Sequence, residues 1–153
     1  MRHEVKTAIA GVAAGILISG LMAAARRSGL FHKTLAEESE DWLDRTVASR
    51  SYIGDFGTTL VEQTNHLAAS AMFGSIYGTL QRSMPGLPPF LLGTFYGSAL
   101  YAINIVCIAP AIGLTRGESA EPAPVMFERF AIHIVFGVAV AGFTEVWRER
   151  NNG

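Results

Sequence analysis

The stretch from Ala123 to Arg150, APVMFERFAIHIVFGVAVAGFTEVWRER, decides how this chain folds. It is apolar over more than the roughly 20 helical residues that cross a bilayer. It also carries Glu128 and Arg129 near its start and His133 inside the apolar run. Ionisable groups inside a membrane helix are costly, so they usually face protein or a cavity and mark a functional position. The stretch therefore predicts a membrane helix with a polar inner face.

Composition fits a small membrane protein with a single domain. The chain has 153 residues, half of them apolar, and 16 of them are glycine, a residue commoner in membrane helices than in soluble ones. The 12 basic and 13 acidic residues leave a net charge of -1, so no basic surface indicates nucleic acid as a partner. A single cysteine, Cys107, excludes an internal disulfide and a multi-cysteine metal site.

Four apolar segments are long enough to span a membrane. They predict an all-α membrane protein, a four-transmembrane-helix bundle in one polytopic domain over residues 1–153. Pro110 lies near the end of the third segment, so we expect that helix to kink or end there. The predicted spans are residues 6–25, 62–80, 87–114 and 125–147.

The first span has features of a cleavable signal, with a basic start, an apolar middle and Ala23–Ala25. Because its apolar run is long for a signal and Arg26 follows at once, we expect it to be retained as a helix.

A polar interfacial segment is predicted between the first two spans, over residues 26–61. Apolar residues recur there at roughly helical spacing, at Leu35, Trp42 and Leu43. This pattern is typical of an amphipathic helix at the membrane interface, with Trp42 near the headgroups. A solvated helix packed on the end of the bundle is the alternative. Ser51–Thr59 contains two glycines and is predicted to be the linker into the second span.

The orientation depends on the basic residues at the two ends of the bundle. With four spans, the termini share one side with Arg82, and Arg2, Lys6, Arg148 and Arg150 make that side densely basic. The opposite side has more basic residues in total, over a longer stretch, and includes Lys33. Since density near the span ends favours the termini inside, we expect both termini in the cytoplasm.

Small residues four positions apart recur in all four spans. Such spacing lets helix backbones approach closely within a bilayer. The contact is either between helices of one chain or between chains of a homo-oligomer. The predicted helix-packing residues are Gly11, Gly15, Gly74, Gly78, Gly93, Gly97 and Gly137.

A polar intramembrane cluster is predicted in the half of the bundle nearest the polar segment. Glu62 and His66 open the second span, Asn104 lies in the third, and His133 lies in the fourth. Glu128 and Arg129 are expected at the interface, where their charges reach water.

Four interpretations of the trio His66, Asn104 and His133 stay open. The first is proton handling, and the second is a haem or metal held by the two histidines. The third is a cavity for a small molecule or lipid. The fourth is simple hydrogen bonding across helices, a common use of such residues.

No catalytic motif is present. The sequence has no nucleophile elbow, HExxH, phosphate-binding Gly-Lys loop or Rossmann fingerprint. We therefore expect no enzymatic activity and no cofactor, with the two-histidine haem or metal site as the alternative.

Residues 64–150 contain several elements in a fixed order: His66 opening an apolar span, Ala109–Thr115 closing the next, Glu128 followed by His133, Phe136, Glu145, then Arg148 and Arg150. In this order and spacing the stretch resembles the YagU-like family of bacterial inner-membrane proteins, and the resemblance implies that the spans lie in a bacterial inner membrane. The Ala23–Arg27 stretch departs from the Lys and Pro-Pro-Arg pattern of that family. The resemblance implies a polytopic protein with a cytoplasmic basic C-terminus and a proposed link to acid tolerance, but no activity.

These observations favour a structural or accessory membrane protein, which packs as an oligomer or as a subunit of a larger assembly. Its expected partners are the lipid bilayer and other membrane subunits or itself. One alternative is a transporter-like protein that handles protons or small solutes through the polar cluster. A second is a membrane subunit with a histidine-ligated cofactor.

Overall fold

The computed structural model describes residues 3–29 and 35–150, so the predicted charges at Arg2 and Lys33 lie outside the described residues. Every regular element in the described ranges is helical, which confirms the all-α prediction. A short 3-10 turn, Glu118–Ala120, lies in the last loop. The helices are α1 (His3–Arg27), α2 (Leu35–Val47), α3 (Ser49–Ser83), α4 (Pro89–Ala111) and α5 (Ala123–Arg150).

Three helices in the described part of the chain are long and apolar enough to cross a membrane: His3–Arg27, Pro89–Ala111 and Ala123–Glu149. They overlap the first, third and fourth predicted spans. The second predicted span, residues 62–80, lies inside α3, whose 35 residues include the polar run from Glu62 to His66.

The predicted linker Ser51–Thr59 is helical instead, and this part of the prediction was wrong. α3 already begins at Ser49 and bends at Gly54, whose backbone has φ 70° and ψ 177°. A positive φ is readily adopted by glycine, so Gly54 interrupts the helix with a kink, and helical structure continues on both sides of it. The Thr58 hydroxyl then donates to the Gly54 carbonyl oxygen at 3.0 Å, which satisfies one main-chain acceptor at the bend.

α1 and α3 pack antiparallel with their backbones in contact. A Cβ atom added at Gly11 would lie 2.1 Å from the Ser70 carbonyl oxygen, and one at Gly74 would lie 2.2 Å from that of Thr7. Both distances are far below van der Waals contact, so no larger side chain fits at either glycine. Thr7 of α1 contacts Gly74 of α3, whereas Gly11, four residues later in α1, contacts Ser70, four residues earlier in α3. The two helices therefore run in opposite directions.

α4 and α5 form a second antiparallel pair of the same kind. A Cβ atom at Gly97 would lie 2.3 Å from the His133 carbonyl oxygen, and one at Gly137 would lie 2.1 Å from that of Gly93. α1 packs on α5 and joins the two pairs. The shared core contains small or aromatic residues that are almost fully buried: Ala10, Ala14, Tyr77, Tyr96, Val140 and Ala141.

The second half of α4 is a π-helix, Tyr101–Ile108, which the sequence pattern did not reveal. At its end, the main-chain N–H of Ala109 donates to the Asn104 carbonyl oxygen, five residues earlier, which is the hydrogen-bond spacing of a π-helix. Pro110 follows at once and has no N–H to donate. α4 ends at Ala111, three residues before the predicted end at residue 114.

Candidate functional site

A cavity of about 610 Å³ lies at one end of the bundle, where α1 and α4 end and α5 begins. All five helices contribute side chains to its wall, and α2 lies over it. Most of its wall is apolar. The apolar side chains from the four long helices include Ile18, Met22, Phe73, Leu100, Ile132 and Phe136.

The predicted polar cluster also lines this cavity. The six residues come from α3, α4 and α5, and their positions in the chain span more than 70 residues, so only the packing of the helices brings them together. Glu62 and Arg129 are buried, and the other four are partly buried. The six are Glu62, His66, Asn104, Glu128, Arg129 and His133.

The two histidines bond to main-chain carbonyls and not to each other. Nε2 of His66 lies 3.3 Å from the Gly15 carbonyl oxygen, which ties α3 to α1. Nδ1 of His133 lies 2.7 Å from the Arg129 carbonyl oxygen within α5. A carbonyl oxygen only accepts, so each of these ring nitrogens must carry the proton. The His133 ring also meets the Tyr101 ring edge-on, with centroids 5.9 Å apart.

Asn104 differs from the histidines because its side-chain amide has no hydrogen-bond partner among the described residues. It lies in the π-helical part of α4 and lines the cavity. π-Helical turns appear frequently at functional sites. An amide in this position can donate to or accept from a bound molecule.

Arg129 does not reach water at the interface, so this expectation was wrong. Its side chain is 6% exposed and forms ion pairs with three carboxylates. Its guanidinium nitrogens lie 2.6 Å from Glu118, 2.8 Å from Glu38 and 3.5 Å from Glu121. The Tyr101 hydroxyl donates to the second oxygen of Glu118 at 2.6 Å. The loop after α4 therefore folds back onto the bundle, and this hides the arginine.

Sequence reasoning missed Glu38 and Glu118 as part of this site. Both lie in acidic stretches that are usually solvated surfaces. One signal was available for the loop: a buried arginine in an apolar helix needs carboxylate partners, and Glu118 and Glu121 lie just before α5 in the chain.

α2 is held against the cavity by polar contacts with three other parts of the chain. The Trp42 indole N–H donates to the Ile112 carbonyl oxygen at 3.0 Å. Glu37 pairs with Arg26 of α1, and Glu38 pairs with Arg129 of α5. The apolar side of α2, including Leu43, faces the cavity. This is the arrangement expected for a helix packed on the end of the bundle.

Glu62 is the most enclosed acid of the cavity wall at 9% exposure. Its side chain accepts a hydrogen bond from the Gln63 amide, whose Nε2 donates to Oε2 at 2.8 Å. The Ser19 hydroxyl in turn donates to Oε1 of Gln63 at 3.3 Å. Within residues 3–29 and 35–150, no cation forms an ion pair with Glu62.

A search of the described residues finds no group of three or more His, Cys, Asp or Glu side chains that could hold a metal ion. The chain matches no protein-family model, no curated protein and no solved structure. The resemblance to the YagU-like family stays a prediction from the sequence.

Proposed function

We propose that the chain is a small multi-pass membrane protein that binds a small amphipathic organic molecule in the cavity beneath α2. The cavity itself carries this proposal. Its volume of about 610 Å³ falls within the range of roughly 300–1,000 Å³ typical of small-molecule sites. Such sites combine an apolar wall with a few polar groups that orient the ligand. Asn104 and Glu62 are suitable groups on the wall here.

The contacts of the glycines remove the main support for the accessory or oligomeric role expected from the sequence, and so favour the binding function. That role depended on helix faces with glycines that a second chain could contact. The seven glycines contact neighbouring helices of the same chain, as at Gly11 with Ser70 and Gly97 with His133. An oligomer would need a different surface.

The two histidines give less support to a haem or metal site than to a ligand cavity. Each ring uses one nitrogen on a main-chain carbonyl, at Gly15 for His66 and at Arg129 for His133. Proton handling by His133 stays a prediction, and it is compatible with a cavity that admits a solute.

In this proposed function, α3 is the fourth helix that spans the membrane. After the break at Gly54, the 29 residues 55–83 make a helix about 43 Å long at 1.5 Å per residue, against a hydrocarbon core of about 30 Å. Residues 62–80 cross the core, and residues 49–61 extend beyond it. Tyr52 and Phe56, each 82% exposed, are placed to anchor that extension among the headgroups.

The same arrangement puts α2 at the membrane interface. With both termini in the cytoplasm of a bacterium and the spans in its inner membrane, α2 and the cavity lie on the outer side of that membrane. A ligand then enters from the periplasm or from the outer leaflet.

Fluorescence of Trp42 tests the binding function directly, because this residue lines the cavity. The chain has two tryptophans, so Trp147→Phe leaves Trp42 as the sole reporter. The purified protein in lipid nanodiscs is titrated with 1-bromonaphthalene, an uncharged quencher. We expect saturable quenching, whereas simple partition into lipid gives quenching without saturation.

A matched pair of variants locates the quencher. Ala69 lines the cavity and Ala68, next to it on α3, is exposed. Ala69→Phe should weaken binding at least tenfold, and Ala68→Phe should leave it unchanged. Unsaturable quenching, or equal effects of the two substitutions, would rule out the proposed site.

Impermeant thiol labelling tests the fourth span and the orientation. Three exposed serines, Ser28, Ser83 and Ser119, are changed singly to cysteine in a Cys107→Ser background. In intact spheroplasts, positions 28 and 119 should react with an impermeant maleimide, and position 83 only after lysis. If positions 28 and 83 react alike, α3 does not cross the membrane.

A further inference from the structure

The charges on the cavity wall identify the chemical class of the ligand. Among the described residues, two arginines and four glutamates line the cavity. The partners of these side chains decide which kind of ligand they can bind. The wall residues that carry charge are Arg26, Arg129, Glu37, Glu40, Glu62 and Glu128.

Neither arginine is available to an anionic ligand. Arg26 pairs with Glu37 across α1 and α2. Arg129 is surrounded by Glu38, Glu118 and Glu121, so three carboxylates already face a single guanidinium. An anion entering the cavity would have to displace one of these pairs, and displacing a partner of a buried charge is costly.

Glu62 is in the opposite situation, since its side chain is buried against a neutral amide, Gln63. A buried carboxylate without a cation is unfavourable in its charged form. Glu40 of α2 lines the same cavity and adds a second carboxylate to its wall. Arg50 does not offset this, because it lies 3.9 Å from Glu40 and is also shared with Asp41, Asp44 and Asp55.

We propose that the ligand is an organic cation, an amine or onium group on an apolar body, whose charge is held by Glu62. This rests on the proposed binding function of the cavity. The apolar body lies against Phe73 and Phe136, which line the cavity. Trp42 of α2 also lines it, and tryptophan is the aromatic side chain that attracts a cation most strongly. A small inorganic cation does not fit this site, because it would leave the apolar wall uncovered.

A pair of probes with nearly the same shape and opposite charge tests the assignment. Tetraphenylphosphonium and tetraphenylborate are each dialysed against the full-length protein in nanodiscs, and binding to empty nanodiscs is subtracted. We expect saturable binding of the phosphonium and at least tenfold weaker binding of the borate. Equal binding of the two ions, or tighter binding of the borate, would overturn the proposal.

Substitutions at Glu62 show whether this residue holds the charge. Glu62→Gln should weaken phosphonium binding at least tenfold, and Glu62→Asp should restore part of it. Glu149→Gln, an exposed glutamate at the opposite end of the bundle, should have no effect. Phosphonium affinity within twofold of the original protein in Glu62→Gln would refute the role of Glu62.

The uncharged quencher separates this proposal from the one it rests on. Glu62→Gln should still bind 1-bromonaphthalene as the unaltered cavity does, which also shows that the variant is folded. If the quencher binds saturably and the phosphonium does not, the cavity binds a ligand, but the proposal that this ligand is an organic cation is refuted. If neither binds, both proposals fail.

Discussion

Arg129 of α5 and Glu38 of α2 lie 91 positions apart in the chain, and their side chains form an ion pair at 2.8 Å. Through this pair α2 is attached to the bundle above the cavity. The same guanidinium holds Glu118 of the last loop at 2.6 Å. One buried cation therefore joins the two segments that close this end of the protein.

Arg129→Met should destabilise the protein by about 3–5 kcal/mol, the cost of removing one partner from a buried ion pair. The substitution keeps much of the side-chain volume but leaves Glu118, itself 7% exposed, buried without its cation. Unfolding by denaturant in mild detergent measures the loss. Arg148→Met is the control, because that side chain is 65% exposed and should change little. Similar losses for the two variants would mean that Arg129 is not buried as described.

Tyr101→Phe should lower the free energy of unfolding by about 1.5–3 kcal/mol, the usual contribution of a hydrogen bond to a charged group. The lost bond is the one from the Tyr101 hydroxyl to Glu118 at 2.6 Å. Tyr52→Phe removes the same hydroxyl from a residue that is 82% exposed, and it should have almost no effect. Equal free energies of unfolding for Tyr101→Phe and Tyr52→Phe would contradict a stabilising hydrogen bond from Tyr101 to Glu118.

Gly74→Ala should destabilise the bundle by about 1–3 kcal/mol, because overpacking forces the backbones apart. The added methyl would lie 2.2 Å from the Thr7 carbonyl oxygen. Gly20→Ala is the matched control in α1, where nothing lies within 4 Å of the new methyl. Alanine is the better helix former, so that variant should be unchanged or slightly more stable. Thermal unfolding of both proteins in the same detergent gives the comparison, and a more stable Gly74→Ala protein would contradict the α1–α3 contact.

Loosening α2 should raise hydrogen exchange in that helix without unfolding the bundle. Glu38→Gln weakens the pair with Arg129, and Trp42→Phe removes the 3.0 Å bond to the Ile112 carbonyl oxygen. In the double variant, the amide hydrogens of Leu35–Val47 should exchange with solvent faster, while the amide hydrogens of α5 keep their protection from exchange. Arg45→Gln, at an exposed position of α2, is the control. Unchanged exchange in the double variant would show that other contacts hold α2.

The sequence predicted the class of the fold because apolar length and helical spacing are local properties. Three of the four predicted spans coincide with helices long and apolar enough to cross a membrane. It also singled out six polar residues that line the cavity, since polar side chains in apolar helices are few. It did not predict the helical structure on both sides of Gly54 within Ser51–Thr59, where this glycine introduces a kink.

The sequence by itself determined that this protein is all-helical and membrane-like. It also singled out the seven glycines and the six polar residues. Tertiary structure decided what those residues contact. Arg129 is buried because two distant acidic segments fold over it. Among the described residues, Glu62 forms no ion pair, and Glu40 of α2 lines the same cavity. Periodicity records which face of a helix is polar, but only the packing of five helices determines which charges are paired and which face a cavity.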